Sequence, residues 1–109
     1  MITFDDFQKV DIRIGKIIAI EDADTRKPMY RMQIDFGELG VKQTVGGIKP
    51  FYGKEELLNK KVAAVVNMEP KKMGTAMSEC MILAAVVGDD EKVVVLQPEK
   101  DIDVGAKIY

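Results

Sequence analysis

The dominant pattern along the chain is a two-residue alternation of apolar and polar positions, the period of a strand with one buried face. Val10, Ile12, Ile14, Ile18 and Ile20 fall on even positions, interleaved with Asp11, Arg13, Ala19 and Glu21. They predict a long half-buried strand with a bulge or bend at Gly15. Residues 21–28 are polar and end in Pro28, which reads as a loop. Tyr30, Met32, Ile34 and Phe36 then alternate with Arg31, Gln33 and Asp35, a second strand. Residues 37–40 make a turn between Gly37 and Gly40, and residues 41–45 form a third strand closed by Gly46-Gly47.

The alternation breaks after that strand. Pro50 to Gly53 is a turn, and residues 54–58 are good helix formers. Residues 61–67 are almost continuously apolar, which predicts a strand buried on both faces. Residues 69–75, with Pro70 and Gly74, read as a loop. Residues 80–87 and 92–96 are apolar runs split by Gly88-Asp89-Asp90, a hairpin signal. Residues 103–109 could add an edge strand, and Thr3 is placed to cap a helical turn containing Phe4 and Phe7. The order is helical turn, three strands, short helix, two or more strands. It predicts an all-β domain over residues 1–109, a five-stranded OB-fold Greek-key barrel with a short helix between strands 3 and 4. An SH3-like barrel or sandwich fragment shares the strands but gives less reason for the helix.

At 109 residues the chain can bury a single core without staples. Composition mainly removes possibilities. With no histidine, a Ser-His-Asp triad, a Cys-His dyad and a histidine metal site are excluded. With one cysteine there is neither an intramolecular disulfide nor a Cys-rich zinc site. No phosphate loop or metal-ligand cluster is evident, so no catalysis, cofactor or metal is expected. No apolar run in the first twenty residues resembles a secretion signal, none is long enough to span a membrane, and no lipidation motif occurs; a cytoplasmic protein is expected. The formal net charge of −2 argues against a polyanion partner until it is resolved by segment. Residues 42–74 hold seven lysines against three glutamates, net +4, between flanks of net −2 and −4. Binding phosphates needs a local basic surface, not a basic total. A solvated lysine-rich face is the plainer alternative.

Several stretches then carry a resemblance. They are Phe4-Asp5-Asp6-Phe7 with Val10-Asp11-Ile12-Arg13-Ile14-Gly15-Lys16-Ile17, Ile34-Asp35-Phe36-Gly37, Val66-Asn67-Met68-Glu69-Pro70-Lys71-Lys72, and Ser78-Glu79-Cys80-Met81. They resemble the tRNA-binding OB domain of methionyl-tRNA synthetases, free-standing dimeric tRNA-binding proteins, EMAP-II-like domains and the CsaA secretion chaperones. The resemblance covers essentially the whole chain. Arg26-Lys27-Pro28, Val41-Lys42-Gln43 and Ser78-Glu79 are similar to CsaA, whereas Thr44-Val45-Gly46-Gly47-Ile48 and Asn67-Met68-Glu69-Pro70-Lys71-Lys72-Met73 are similar to the synthetase type.

The resemblance implies tRNA as ligand, a homodimer, and as further partners an aminoacyl-tRNA synthetase or, for the chaperone type, unfolded pre-export polypeptide. An OB barrel binds on its second and third strands and the flanking loops. Arg26, Lys27, Lys42, Lys71 and Lys72 are then expected to converge on one groove as phosphate contacts, with Asn67 and Ser78 as neutral hydrogen-bonding groups. Each also has a structural alternative: Asn67 satisfying backbone at a strand end, Ser78 shaping a turn, Arg26 and Lys27 solubilising a loop. Glu79 stands where tRNA-binding relatives carry glutamine. It would repel phosphate unless it accepts a base amine or pairs with a lysine or arginine. Cys80 opens an apolar run and reads as a buried inert thiol. Met73, Met77 and Gln43 are the candidates for a peptide site, while Met32 and Met81 read as core. Phe4 and Phe7 are the candidates for a dimer interface; covering the bottom of the barrel is their alternative. Together these features lead to the expectation of a non-catalytic, shape-recognising tRNA-binding protein, with a CsaA-like export chaperone as the alternative.

Overall fold

In the computed structural model of the chain, which describes residues 1–89 and 91–109, the first element follows from its cap. Helix α1 (Phe4–Gln8) is held at its start by a reciprocal pair: the Asp6 N–H donates to Thr3 Oγ1 at 3.1 Å, and the Thr3 N–H donates to the Asp6 carboxylate at 3.2 Å. The bond from the Thr3 backbone holds the Asp6 carboxyl below its usual range.

Strands β1 (Ile12–Asp22), β2 (Tyr30–Asp35), β3 (Val41–Gly46), β4 (Lys61–Val65) and β7 (Met81–Ile82) form an antiparallel sheet in the order β3-β2-β1-β4-β7. It curls into a nearly closed barrel. β1 serves two neighbours: residues 12–16 pair with β4 and residues 16–22 pair with β2. A strand that changes partners must bend, and it does so where the register shifts between Ile17 and Ala19. The bulge is therefore not at Gly15, and the even-position reading fails locally at Ile17 and Ile18, while Ile14 is buried and Ile20 packs against the core. Ile17 is fully buried, whereas Ile18 is 42% exposed. Gly15 has a different reason to be glycine: a Cβ there would sit 2.5 Å from both Ile34 Cγ2 and the Phe36 ring.

The strand over residues 61–67 is shorter than expected, but it is buried on both faces as predicted: Val62, Ala63, Ala64 and Val65 are all buried. One side faces the core. Beyond the sheet, β8 (Ala84–Val87) and β9 (Lys92–Val95) form a hairpin whose two ends are bonded to β4, the Ala63 N–H donating to the Leu96 carbonyl at 3.0 Å and the Leu83 N–H to the Ala63 carbonyl at 2.9 Å. The run 80–87 is thus two strands, not one, because chain 81–82 pairs with β4 and chain 84–87 turns to pair with β9. Asp90, expected at the hairpin tip, lies outside the described residues. The segment 69–75 is not a loop either. It holds β5 (Lys71–Met73), paired with β6 (Ala76–Ser78).

Helix α2 (Lys54–Leu57) sits between β3 and β4 as expected and inserts the fully buried Leu57. Ile17, Met32, Ile34, Phe36 and Val62 complete the centre of the core. The tail lies along β1 without forming a regular strand: Ile14 exchanges bonds with Gly105 and Ala106, and the Ile108 N–H donates to the Ile12 carbonyl at 2.9 Å. Among the described residues no helix is long and apolar enough to cross a membrane.

Candidate nucleic-acid interface

The β5–β6 hairpin turns at Gly74, whose φ is +61°, a conformation that favours glycine. A side chain at this position would also collide with the carbonyl of Asp24. The hairpin tip therefore rests on the loop between β1 and β2. That loop is shaped by the Ala23 N–H donating to the Met29 carbonyl at 2.9 Å and by Thr25 Oγ1 donating to the Lys27 carbonyl at 2.6 Å. Two segments some 45 residues apart are brought into contact, and with them Arg26 and Lys27 on one side and Lys71 and Lys72 on the other.

Some cations elsewhere are paired within the chain, while Lys16, Lys60, Lys92, Lys100 and Lys107 make no ion pair among the described residues, so what sets the expected contacts apart is their place around these two segments. Lys49 and Lys54 both pair with Asp22, at 3.0 and 3.4 Å, and hold its carboxyl below the usual range. Lys61 pairs with Asp101 at 2.7 Å, Arg13 with Asp11 at 2.7 Å, and Arg31 with Glu21. Among the described residues, Arg26, Lys27, Lys42, Lys71 and Lys72 make no ion pair. Four of the five are exposed, and Lys42 is half-buried.

Strand alternation splits the hairpin. Lys71 pairs with Ser78 and Met73 with Ala76 on one face, while Lys72 and Met77 share the other. The Lys71 face lines a cleft of about 410 Å³ whose floor includes Met32, Thr44 and Cys80. The other face continues the outer surface of β2 and β3, where Gln33 donates to Gln43 across the strands at 2.7 Å and Gln43 Nε2 donates to the Met77 carbonyl at 2.8 Å. The five cations thus do not all face one groove, because Lys71 and Lys72 diverge. Met73 and Met77 diverge for the same reason, and Gln43 belongs with Met77.

Glu79 has a partner that sequence reasoning missed. Among the described residues it pairs with no lysine. Instead Glu79 Oε1 accepts from the Gln43 N–H at 2.9 Å, while the Glu79 N–H donates to the Gln43 carbonyl at 2.7 Å. Ser78 acts beside it, Oγ accepting from the Val45 N–H at 3.1 Å and lying 3.2 Å from the Cys80 carbonyl, which it reaches as donor. Thr44 Oγ1 donates to that carbonyl at 2.8 Å. These groups occupy the edge of β3 that β2 does not use, so the barrel closes here through side-chain clips. Cys80 is buried beneath them; burial first, then the charge of Glu79, pushes its thiol up to about 11.

Asn67 is also engaged within the chain. Its Oδ1 accepts from the Asp11 N–H at 3.0 Å, and its Nδ2 donates to the Lys9 carbonyl at 2.7 Å, which ties the end of β4 to the α1–β1 junction. Met81, expected in the core, is 44% exposed, since it is a short edge-strand residue whose neighbours turn inward. Phe4 is 63% exposed and Phe7 half-buried, so Phe4 does not cover the barrel bottom. Sequence reasoning also missed Gln33. Its place in the alternation of β2 was legible, but its partner depended on register.

A small, nearly closed five-stranded barrel, with unpaired cations on the touching β1–β2 loop and β5–β6 hairpin, is the architecture of an oligonucleotide-binding OB fold. The family model for the tRNA binding domain matches residues 12–107, and the chain belongs to that family. It is 43% identical over 107 residues to the methionine–tRNA ligase of Pyrococcus abyssi, a match covering 98% of this chain and 14% of the ligase. The chain thus spans about one-seventh of the length of that relative. Among solved structures it is similar to the chaperone CsaA of Bacillus anthracis (TM-score 0.93, 39% identity, 100% of this chain and 99% of that chain). It is also similar to a methionyl-tRNA-synthetase-related protein of Pyrococcus horikoshii (TM-score 0.90, 29% identity, 100% and 98%).

Proposed function

We propose that this chain binds tRNA by shape and backbone charge, without catalysis of its own. The observation that carries the reading is the set of five cations without ion pairs around two touching segments, within a tRNA-binding family. Lysines act as point charges and not as bidentate readers, so they favour recognition of phosphate positions over sequence. Arg26, Lys27, Lys42, Lys71 and Lys72 are the phosphate contacts. Ser78 and Glu79 act through the clip that positions β3, whereas Asn67 serves the fold, tying the end of β4 to the α1–β1 junction. The protein works in the cytoplasm as a homodimer joined through Phe4 and Phe7, which doubles the surface offered to a large ligand and gives exposed Phe4 a partner. Association with a synthetase is compatible with the ligase relatives.

Filter binding of bulk tRNA at low salt tests the reading. Micromolar binding is expected, and each lysine removed at 71 or 72 should flatten the logarithmic salt dependence by about 0.7–0.9. Folded protein that leaves tRNA unbound at micromolar concentration overturns it. A second reading, binding of unfolded polypeptide, is favoured by the similarity to solved CsaA chaperones and by the exposed Met68, Met77 and Met81. Suppression of aggregation of a denatured protein that competing tRNA leaves unchanged would favour it.

A further inference from the structure

The cleft on the inner face of the β5–β6 hairpin has a composition that the phosphate contacts leave unexplained. Its lining is largely apolar: Met68, Met73 and Met81 join Val45, Ile48 and Ile82. On its floor Thr44 and Ser78 each direct their one hydroxyl proton to the Cys80 carbonyl, so they offer a ligand acceptors but no donor. Two charges stand at its wall, Glu69 and Lys71, and among the described residues neither makes an ion pair. At about 410 Å³ it is near the lower limit of small-ligand sites.

We infer that this cleft receives one unstacked nucleobase from a single-stranded part of the bound RNA. The assignment rests on the tRNA-binding reading and gives that site a base-recognising element. A nucleotide joins the three features the cleft calls for. Its flat faces fit between methionine thioethers, which make favourable contacts with aromatic rings. Its exocyclic amine donates to the carboxylate of Glu69, and its phosphate meets the ammonium of Lys71. An apolar peptide side chain fills the slot but leaves both charges unmatched. Because uracil lacks an exocyclic amine, adenine, cytosine or guanine is preferred over it.

The test uses the full chain and short single-stranded hexaribonucleotides, each with either one 2-aminopurine or one abasic position, with tRNA binding measured in parallel. The base-bearing probe should bind about tenfold tighter than the abasic one and change its fluorescence on binding. M68A/M73A should remove that difference while tRNA binding falls less, and circular dichroism should show the variant folded. Glu69→Gln should erode a preference of about fivefold for adenine over uracil probes. Equal binding of base-bearing and abasic probes, with tRNA binding intact, overturns the cleft assignment and leaves the tRNA reading standing. Displacement of the fluorescent base by an apolar peptide that tRNA does not displace also overturns it, in favour of a polypeptide occupant. Failure to bind either probe or tRNA overturns both readings.

Discussion

Replacing Glu79 with glutamine separates two roles that the carboxylate combines. In the fold, Oε1 accepts one backbone N–H, that of Gln43, at 2.9 Å. A glutamine amide oxygen can accept the same bond. The loss is the difference between a charged and a neutral acceptor at an exposed position, about 0.5 kcal/mol. In binding, the same carboxylate sits on the Gln43 N–H next to Lys42 and one residue beyond Ser78, the cross-strand partner of Lys71, so it places a negative charge near two of the proposed phosphate contacts. For a phosphate at roughly 7 Å and an effective dielectric constant of about 40–80, the repulsion is about 0.6–1.2 kcal/mol, so removing it should tighten tRNA binding roughly three- to sevenfold at low salt. The gain should shrink toward nothing at about 1 M salt, where screening is nearly complete. Glu79→Ala is the contrasting variant. It deletes the acceptor and leaves the Gln43 N–H unpaired, which should cost about 1 kcal/mol and lower Tm by about 4 °C. Filter binding across a salt series and thermal melts of both variants read the two effects separately. The reasoning is refuted if glutamine weakens tRNA binding, or if it lowers Tm as much as alanine does.

Other expectations follow from individual contacts. Gly15→Ala places a methyl into Ile34 and Phe36 at 2.5 Å, and should destabilise by about 1–3 kcal/mol in urea unfolding; an unchanged midpoint would mean that β1 shifts freely. Asn67→Ala breaks the bonds to Lys9 and Asp11 and should cost about 1–2 kcal/mol, with tRNA affinity of the folded protein unchanged; a large affinity loss at full folding would make Asn67 an RNA contact instead. The Cys80 thiol rises from an ordinary value of 9.0 to about 11, so the fold favours its neutral form. Its contribution to stability is then fully present below about pH 9 and is lost as pH rises from about 9 to about 11. Urea unfolding at pH 8 and pH 11, compared with a Cys80→Ala variant, should show the wild type losing more than the variant. A thiol reagent at pH 8 should label native protein far more slowly than urea-unfolded protein.

Alternation placed β1 and β2, because a strand with one wet face shows its period in the chain, and the flanking glycine turns bounded β3. For related reasons α2 and the doubly buried β4 were legible, the one by its helix formers and the other by losing the alternation. The Thr3 cap was legible because its partner, Asp6, is only three residues away. What the chain could not reveal depended on partners far from each other in sequence. The bend in β1 lies at Ile17–Ala19 because that is where β1 leaves β4 for β2, a choice of neighbours that no local pattern encodes. Gly15 is glycine because Phe36 packs onto its backbone, not because the strand bends there. The hairpin at residues 71–78 was hidden by Pro70 and Gly74, which read as loop residues, while its pairing made alternate side chains face opposite ways. That split is what separates Lys71 from Lys72 and Met73 from Met77. Residue types and charge located the basic middle of the chain, but only the packed structure decided which lysines stay unpaired, and that Glu79 serves the barrel edge. Pairing energies depend on distances between residues far apart in the chain, and those distances exist only after folding.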